Sequence, residues 1–501
     1  MSRQARLVLD PAFQVGSVDP RLFGSFVEHV GRCVYTGIYE PGHPAADADG
    51  LRTDVLDLIR ELGVTVIRYP GGNFVSGYDW EDGVGPADQR PVRRDAAWRS
   101  IETNRFGLSE FVSFTGKVGA EPMLAVNLGT RGMAEAVQLL EYANHPGGTT
   151  RSDLRASHGD KDPYGIRLWC LGNEMDGPWQ IGHKTADEYG RLAATTAWAM
   201  RLTEPDLQLV ACGSSSHVMP TFGAWEATVL EQAYDMVDYI SMHAYYEEKD
   251  GDRDSFLASA VDMESFIDSV AATCDYVAAR LKSTKKIGIS FDEWNVWYSS
   301  KTHDQPVREW TTAPRLLEDV YSVTDAVVVG SLLIGLLRHA DRVGVACLAQ
   351  LVNAIAPIMT EPGGAAWRQA TFYPFALTSR YGRGTVLVAE PESPAISTAG
   401  HGDVPAVHAT AVMRDEDGTL TLFAVNRDRT APVELLVEFR GMRPTTVLEH
   451  QVIADPDEDA CNTAEQPGRV TPTDLSGTAI AEGSARVVLP PMSWNIVRFG
   501  P

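Results

Sequence analysis

The segment WCLGNEMDGPW, residues 169–179, puts a carboxyl group where a buried strand would end. Leu168, Trp169, Cys170 and Leu171 are apolar in a row; an amide, Asn173, and an acid, Glu174, follow, with tryptophans on both sides. Such surroundings make the charged form of an acid costly unless a partner compensates. A second carboxyl group, Glu293 in SFDEWNVWY, also follows an apolar run. Two facing carboxyl groups are the minimum set for hydrolysing a glycosidic bond. One protonates the leaving oxygen; the other, ionised, attacks the anomeric carbon, so their environments should differ. Glu174, framed by Trp169 and Trp179, suits the acid. Glu293 needs a donor to hold it ionised, and Tyr245 or Arg68 could supply one.

More polar residues stand at the ends of other apolar runs. Glu28 follows the first, Asn73 the second in RYPGGN, and Asn127 the third. His243, Tyr245 and Tyr246 close the sixth and Gln350 the eighth. Asparagine and glutamine suit sugar hydroxyls, and indole faces suit sugar C–H surfaces. Each residue also has a plainer reading. Glu28 could pair with Arg32 or Arg68, and Asn173 could satisfy backbone groups. His243 could be a satisfied core histidine or a support for the acid. Tyr246 reads as packing, and Trp98, Trp179 and Trp297 as core aromatics or pocket lining. Asp292 should face away from Glu293 by strand alternation and serve structure. Glu28 and His29 are adjacent on a strand and face opposite sides, so no metal site is expected. No nucleotide or flavin motif is present and no cofactor is expected.

These residues converge only if the apolar runs are strands of one closed sheet. Eight runs read as strands: 22–30, 64–72, 121–129, 166–174, 207–216, 239–246, 287–295 and 343–353. Helical patterns lie between them. Residues 51–62 put Val55, Leu58, Ile59 and Leu62 on one face. Thr185 and Glu188 form a capping box at the head of 184–204, and 261–281 has a comparable apolar face. Eight such units predict a (β/α)8 barrel, whose working residues sit at the C-terminal ends of its strands. An open doubly wound sheet is the alternative, but no G-x-G-x-x-G follows the first strand.

Beyond about residue 378 the period changes. VHATAVMRD and LTLFAVNRD alternate around DEDG, and VELLVEF and ARVVLPPMSWNIVRF follow. This predicts a C-terminal antiparallel, jelly-roll-like β-sandwich over 379–501. The barrel then covers 18–378, and residues 1–17 add a strand to the sandwich. The acidic tract 454–466 reads as a solvated loop.

The chain has 501 residues, 44% of them hydrophobic, enough for two domains. Its net charge of −24 repels phosphate backbones, so nucleic acid is excluded as a partner. The basic N-terminal residues precede no long apolar segment, and the apolar stretch 326–337 is too short to span a bilayer. Six scattered cysteines, none in a CxxC, indicate buried thiols in a reducing compartment. A cytoplasmic protein without membrane contact is expected.

The motifs together identify a resemblance. EHVGRCVYTGIYE, RYPGGNFVSGYDWEDGVGP, NRFGLSEF, LGNEMDGPWQIGH, YISMHAYY, FDEWNVWY and NAIAPIMT are similar to those of glycoside hydrolase family 51, the α-L-arabinofuranosidases, over nearly the full length. The resemblance implies a barrel joined to a β-sandwich. It implies exo-acting, retaining release of terminal arabinofuranosyl groups from oligosaccharides. It implies Glu174 as acid/base, Glu293 as nucleophile, and Glu28, Asn73, Asn173, Tyr245 and Gln350 as the furanose-binding set, with Tyr245 bonding the nucleophile. A homo-oligomer, commonly a hexamer, is implied as well. Another retaining barrel glycosidase, a β-xylosidase or endoglucanase, is the alternative enzyme. A catalytically dead carbohydrate-binding protein is the alternative class, which the presence of both carboxyl groups opposes.

Overall fold

The computed structural model describes residues 3–301 and 309–501. Eight parallel strands close into a barrel: Gly24–Phe26, Val66–Tyr69, Glu121–Ala125, Leu168–Leu171, Gln208–Ala211, Tyr239–Tyr246, Gly288–Val296 and Val343–Leu348. They are ordered around the barrel as in the chain, and the eighth pairs with the first through Cys347 and Leu348. Seven of the eight fall within the runs read from sequence, and the seventh strand passes the end of its run by one residue, Val296. Most are shorter than those runs, because the polar ends continue past the last ladder bond as loops. Strands such as Val66–Tyr69 and Leu168–Leu171 are buried on both faces, which is why they read as unbroken apolar runs.

Helices cover the outside. Thr53–Leu62 buries Val55, Leu58, Ile59 and Leu62 and stops at Gly63, whose N–H bonds to the Ile59 carbonyl. Ala186–Thr203 starts at the Thr185–Glu188 capping box. Ser259–Leu281 carries the third expected face.

Two sheets form the sandwich. One orders Arg3–Leu9, Val433–Phe439, Ser484–Leu489 and Ala479–Ala481. The other orders Gln14–Ser17, Thr385–Leu387, Val407–Met413, Leu420–Asn426, Ser493–Gly500, Thr446–Ile453 and Thr473–Asp474. The pairings are antiparallel except one: Arg3–Leu9 runs parallel to Val433–Phe439. A strand brought in from the far end of the chain needs no hairpin, so nothing imposes the antiparallel sense. Alternate residues, among them Leu7, Leu9, Leu435 and Val437, fill a second core between the sheets.

The helix Val323–Arg338 joins the two bodies. Fifteen of its sixteen residues are buried, because helices 259–281 and 372–381 pack on one side and sandwich strands on the other. An all-round apolar helix is what such a position demands. Among the described residues no helix is long and apolar enough to cross a membrane. The acidic tract is not simply a solvated loop. Glu458 receives Arg253 and Arg429, Ala460 accepts from the Val323 N–H, and Ala460 and Asn462 are buried. Its carboxylates are drawn onto arginines at the barrel–sandwich seam.

Candidate active site

Glu174 follows the fourth barrel strand on a turn that the chain must force. Gly172 has φ 94°, and Glu174 itself has φ 44°, a conformation that costs a non-glycine residue free energy. The turn breaks strand alternation and carries Glu174 onto the rim. Glu293 lies inside the seventh strand, opposite His243 of the sixth. A carboxyl oxygen of Glu174 and one of Glu293 lie within 4.8 Å of each other.

Both donors proposed for Glu293 are in place. Arg68 Nη1 donates to Oε1 at 2.8 Å and Tyr245 donates its hydroxyl to Oε2 at 2.8 Å. Arg68 Nη2 also donates to Asn173 Oδ1 at 2.6 Å, so one buried guanidinium orients the nucleophile candidate and the amide beside Glu174. Asn173 Nδ2 has no hydrogen-bond partner among the described residues. Burial pushes the Glu293 carboxyl up from the ordinary range, and the charge of Glu174 adds to it. His243 and Arg68 oppose the shift.

Glu174 has two partners. Trp179, itself 50% exposed, donates its indole N–H to Oε2 at 2.7 Å, and His243 Nδ1 lies 2.8 Å from Oε1. Trp169 gives the acid no hydrogen bond: its indole N–H turns back to the Ile166 carbonyl at 2.8 Å. His243 Nε2 lies 2.9 Å from Asp292 Oδ1. Asp292 therefore does not face away from the site as alternation predicts. The ladder between the sixth and seventh strands shifts register between Ser241 and His243, and this bulge turns Asp292 onto the imidazole as well. The donor atoms of Glu174, His243 and Glu293 are close together, but both ring nitrogens already face carboxyl oxygens and Arg68 supplies positive charge. Hydrogen bonding accounts for the cluster.

Glu28 is buried and surrounded by donors. Its Oε1 accepts from the Phe74 N–H at 2.9 Å and the Trp98 indole at 2.6 Å, and its Oε2 from Gln350 Nε2 at 2.9 Å. It pairs with neither Arg32, which goes to Glu318 and the Thr360 carbonyl, nor Arg68. Burial pushes its pKa well up, against the bonds from Trp98 and Phe74. The glycines of RYPGGN make the approach possible. At Gly72, φ 56°, a Cβ would collide with the Glu28 carboxyl group. Half-buried Asn73 stands on the single turn that follows. His29 points the other way, to Glu102 and the Tyr69 hydroxyl.

Three other sequence candidates are now placed. Asn127 is spent on its own loop, with Oδ1 accepting from Gly129 and Thr130 and Nδ2 donating to the Tyr78 carbonyl. Tyr246 bonds Asp262 outside the cluster. Trp297 packs edge-on against Tyr245, with ring centroids 5.2 Å apart.

Residues 58–262 match the α-L-arabinofuranosidase 1 domain and residues 292–493 the α-L-arabinofuranosidase C-terminal domain. An intracellular exo-α-(1→5)-L-arabinofuranosidase of Streptomyces lividans is 66% identical over 99% of this chain and 75% of its own length. An exo-α-(1→6)-L-arabinofuranosidase of Bifidobacterium longum is 56% identical over 99% of this chain and 97% of its own. A solved family 51 α-L-arabinofuranosidase from Bifidobacterium longum superposes with a TM-score of 0.96 at 49% identity, covering 100% of both chains. The chain belongs to glycoside hydrolase family 51.

For a family 51 α-L-arabinofuranosidase, the five residues expected around the two carboxyl groups fall into two connected groups. Asn173 and Tyr245 share the Arg68–Glu293 network; Gln350 bonds Glu28, and Asn73 adjoins the residue whose N–H does so. Sequence reasoning passes over Asp176. It is buried, and its Oδ2 accepts from the Ser215 N–H at 3.0 Å and hydroxyl at 3.1 Å. Burial, with the charge of Glu174 added, pushes it up to about 6. Its one signal was its place two residues after Glu174.

Proposed function

We propose that this enzyme releases terminal non-reducing α-L-arabinofuranosyl groups from arabino-oligosaccharides or arabinoxylan fragments by double displacement with retention. The observation that carries this reading is the separation of the two carboxyl groups. Retention uses carboxyl groups about 5–5.5 Å apart, whereas inversion needs roughly 6.5–9.5 Å to admit a water. Oxygens within 4.8 Å favour the first. Glu293 is the nucleophile, oriented by Arg68 and Tyr245. Glu174 is the acid/base. Glu28, Asn73, Asn173, Tyr245 and Gln350 hold the furanose, and the names of the exo-acting relatives support action on a terminal group.

Among arabino-oligosaccharides the preferred linkage is α-(1→5), on the name of the Streptomyces relative; the protein is intracellular, on the same ground. Residues 18–378 are the catalytic unit, and residues 1–17 with 379–501 the sandwich. The assembly is a hexamer, which sedimentation of the full chain tests directly.

A rate panel tests the substrate class. An aryl α-L-arabinofuranoside should be turned over far faster than the β-D-xyloside or β-D-cellobioside, and the (1→5)-linked disaccharide faster than the (1→6). Proton NMR of the first product formed should show the α anomer. The β anomer would end the double-displacement reading.

A further inference from the structure

His243 has bonds that the two displacement steps leave unused. Its Nδ1 lies 2.8 Å from Glu174 Oε1 and 3.6 Å from Glu293 Oε2, and its Nε2 2.9 Å from Asp292 Oδ1. The ring is 2% exposed and Asp292 is fully buried. The groups facing this pair come from four elements. Glu174 and Asp176 follow the fourth strand, Asp292 and Glu293 belong to the seventh, Arg68 to the second, and Tyr245 to its own strand. The Cys170 thiol touches Asp292. Carboxyl oxygens thus face both ring nitrogens, and only the imidazolium donates from both.

We propose that His243, held by Asp292, is a positioning residue that stores the proton Glu174 delivers to the leaving oxygen. The inference rests on Glu174 as acid/base and deepens it. In the free enzyme the proton sits on Nδ1, 2.8 Å from Glu174 Oε1. Burial works against that cation, but Glu293, Asp292 and Glu174 lift the ring to about 10. When the glycosidic oxygen arrives, the proton crosses to Glu174 Oε1. It then passes to that oxygen as the C–O bond breaks and Glu293 bonds the anomeric carbon. The pair is left as neutral imidazole and carboxylate, the form needed to take a proton from the water that attacks the glycosyl-enzyme. That proton returns the pair to its starting state, and no other reagent is consumed.

The test is His243→Asn, whose amide nitrogen stands near Nδ1 and still donates to Glu174 but carries no titrating proton. The variant should lose at least about 100-fold in kcat on arabino-oligosaccharides, within the range of a general-acid contribution. It should lose less than about tenfold on an activated aryl arabinofuranoside. The alkaline limb of kcat/KM should move at least one pH unit downward, because a lone carboxyl group replaces a coupled pair. A ring acting only as a fixed positive charge has the opposite signature: without it a carboxyl group holds its proton more tightly and the limb moves up. An upward shift, or equal losses on both substrates with an unmoved limb, overturns the proposal. Should His243→Asn not fold, Asp292→Asn decides, with a smaller downward shift expected and an unmoved limb overturning it. Glu174→Ala is run beside them. If it keeps the parent's alkaline limb, the acid/base assignment itself has failed, whatever His243 does.

Discussion

At the scale of single residues, two groups of like chemistry have different partners. Glu293 is held by Arg68 and Tyr245, both bonding to its charged form. Tyr245→Phe removes one of those donors, so the carboxyl group binds its proton more tightly. The acid limb of kcat/KM should move to higher pH, and kcat should fall roughly 10- to 100-fold, as for loss of one directed donor. An acid limb in the same place would mean that Tyr245 does not act on Glu293. Leaving groups separate the two glutamates. Glu174→Ala should lose far more rate on arabino-oligosaccharides than on an activated aryl arabinofuranoside, whose alcohol departs without a proton. Azide should then rescue turnover and yield the α-configured glycosyl azide, because two displacements restore the starting configuration. Glu293→Ala should be nearly inactive on both substrates, and any azide product from it should be β-configured. Chromatography of the azide products checks this, and like behaviour of both variants would mean the roles are misassigned.

At the scale of elements, the site depends on local departures from regular geometry. A bulge between the sixth and seventh strands sets Asp292 and Glu293 against one imidazole. The positive φ of Glu174 lifts it out of the fourth strand. The tight turn at Gly71 and Gly72 lets the backbone meet Glu28. Gly72→Ala would put a Cβ against the Glu28 carboxyl group in a conformation that L side chains rarely adopt. It should cost about 1–3 kcal/mol of stability and raise KM for an aryl arabinofuranoside more than tenfold. Thermal unfolding and initial rates measure the two effects. A variant with the parent's KM would show that Glu28 does not meet the sugar.

At the scale of the whole molecule, barrel and sandwich are joined by a buried polar seam. Ser331 Oγ lies 2.8 Å from His408 Nδ1, and His408 Nε2 lies 3.2 Å from Glu264, which also receives Arg338. Burial, with Arg427 nearby, pushes His408 down to about 4. Its unfolded value is near 6.5. Between those values the unfolded chain takes up a proton that the folded chain refuses. The contribution of His408 to stability is therefore full above pH 6.5 and lost as pH falls toward 4. The melting temperature should drop across that window, and less steeply in His408→Gln. An equal slope in the variant would place the pH sensitivity elsewhere.

The barrel, the sandwich and the strand-end carboxyl groups were legible in the sequence because each is a local property. A strand buried on both faces is an apolar run, a capping box is two residues at a fixed spacing, and a polar residue after such a run marks a rim. The resemblance to family 51 rests on motifs of the same local kind. What the sequence could not hold is any relation between residues far apart in the chain. Asp292 was read by strict alternation, and only a register shift against another strand turns it onto His243. Trp169 and Trp179 look equivalent beside Glu174, yet one is anchored to its own strand and the other donates to the acid. Arg68 was one of two donors for Glu293; the barrel supplies both and makes the same guanidinium hold Asn173. The parallel sense of Arg3–Leu9 and the placing of Arg253 on the acidic tract were likewise decided by elements hundreds of residues away. Composition and periodicity record what each segment must bury, but only closure of the tertiary structure decides which polar atoms then face one another.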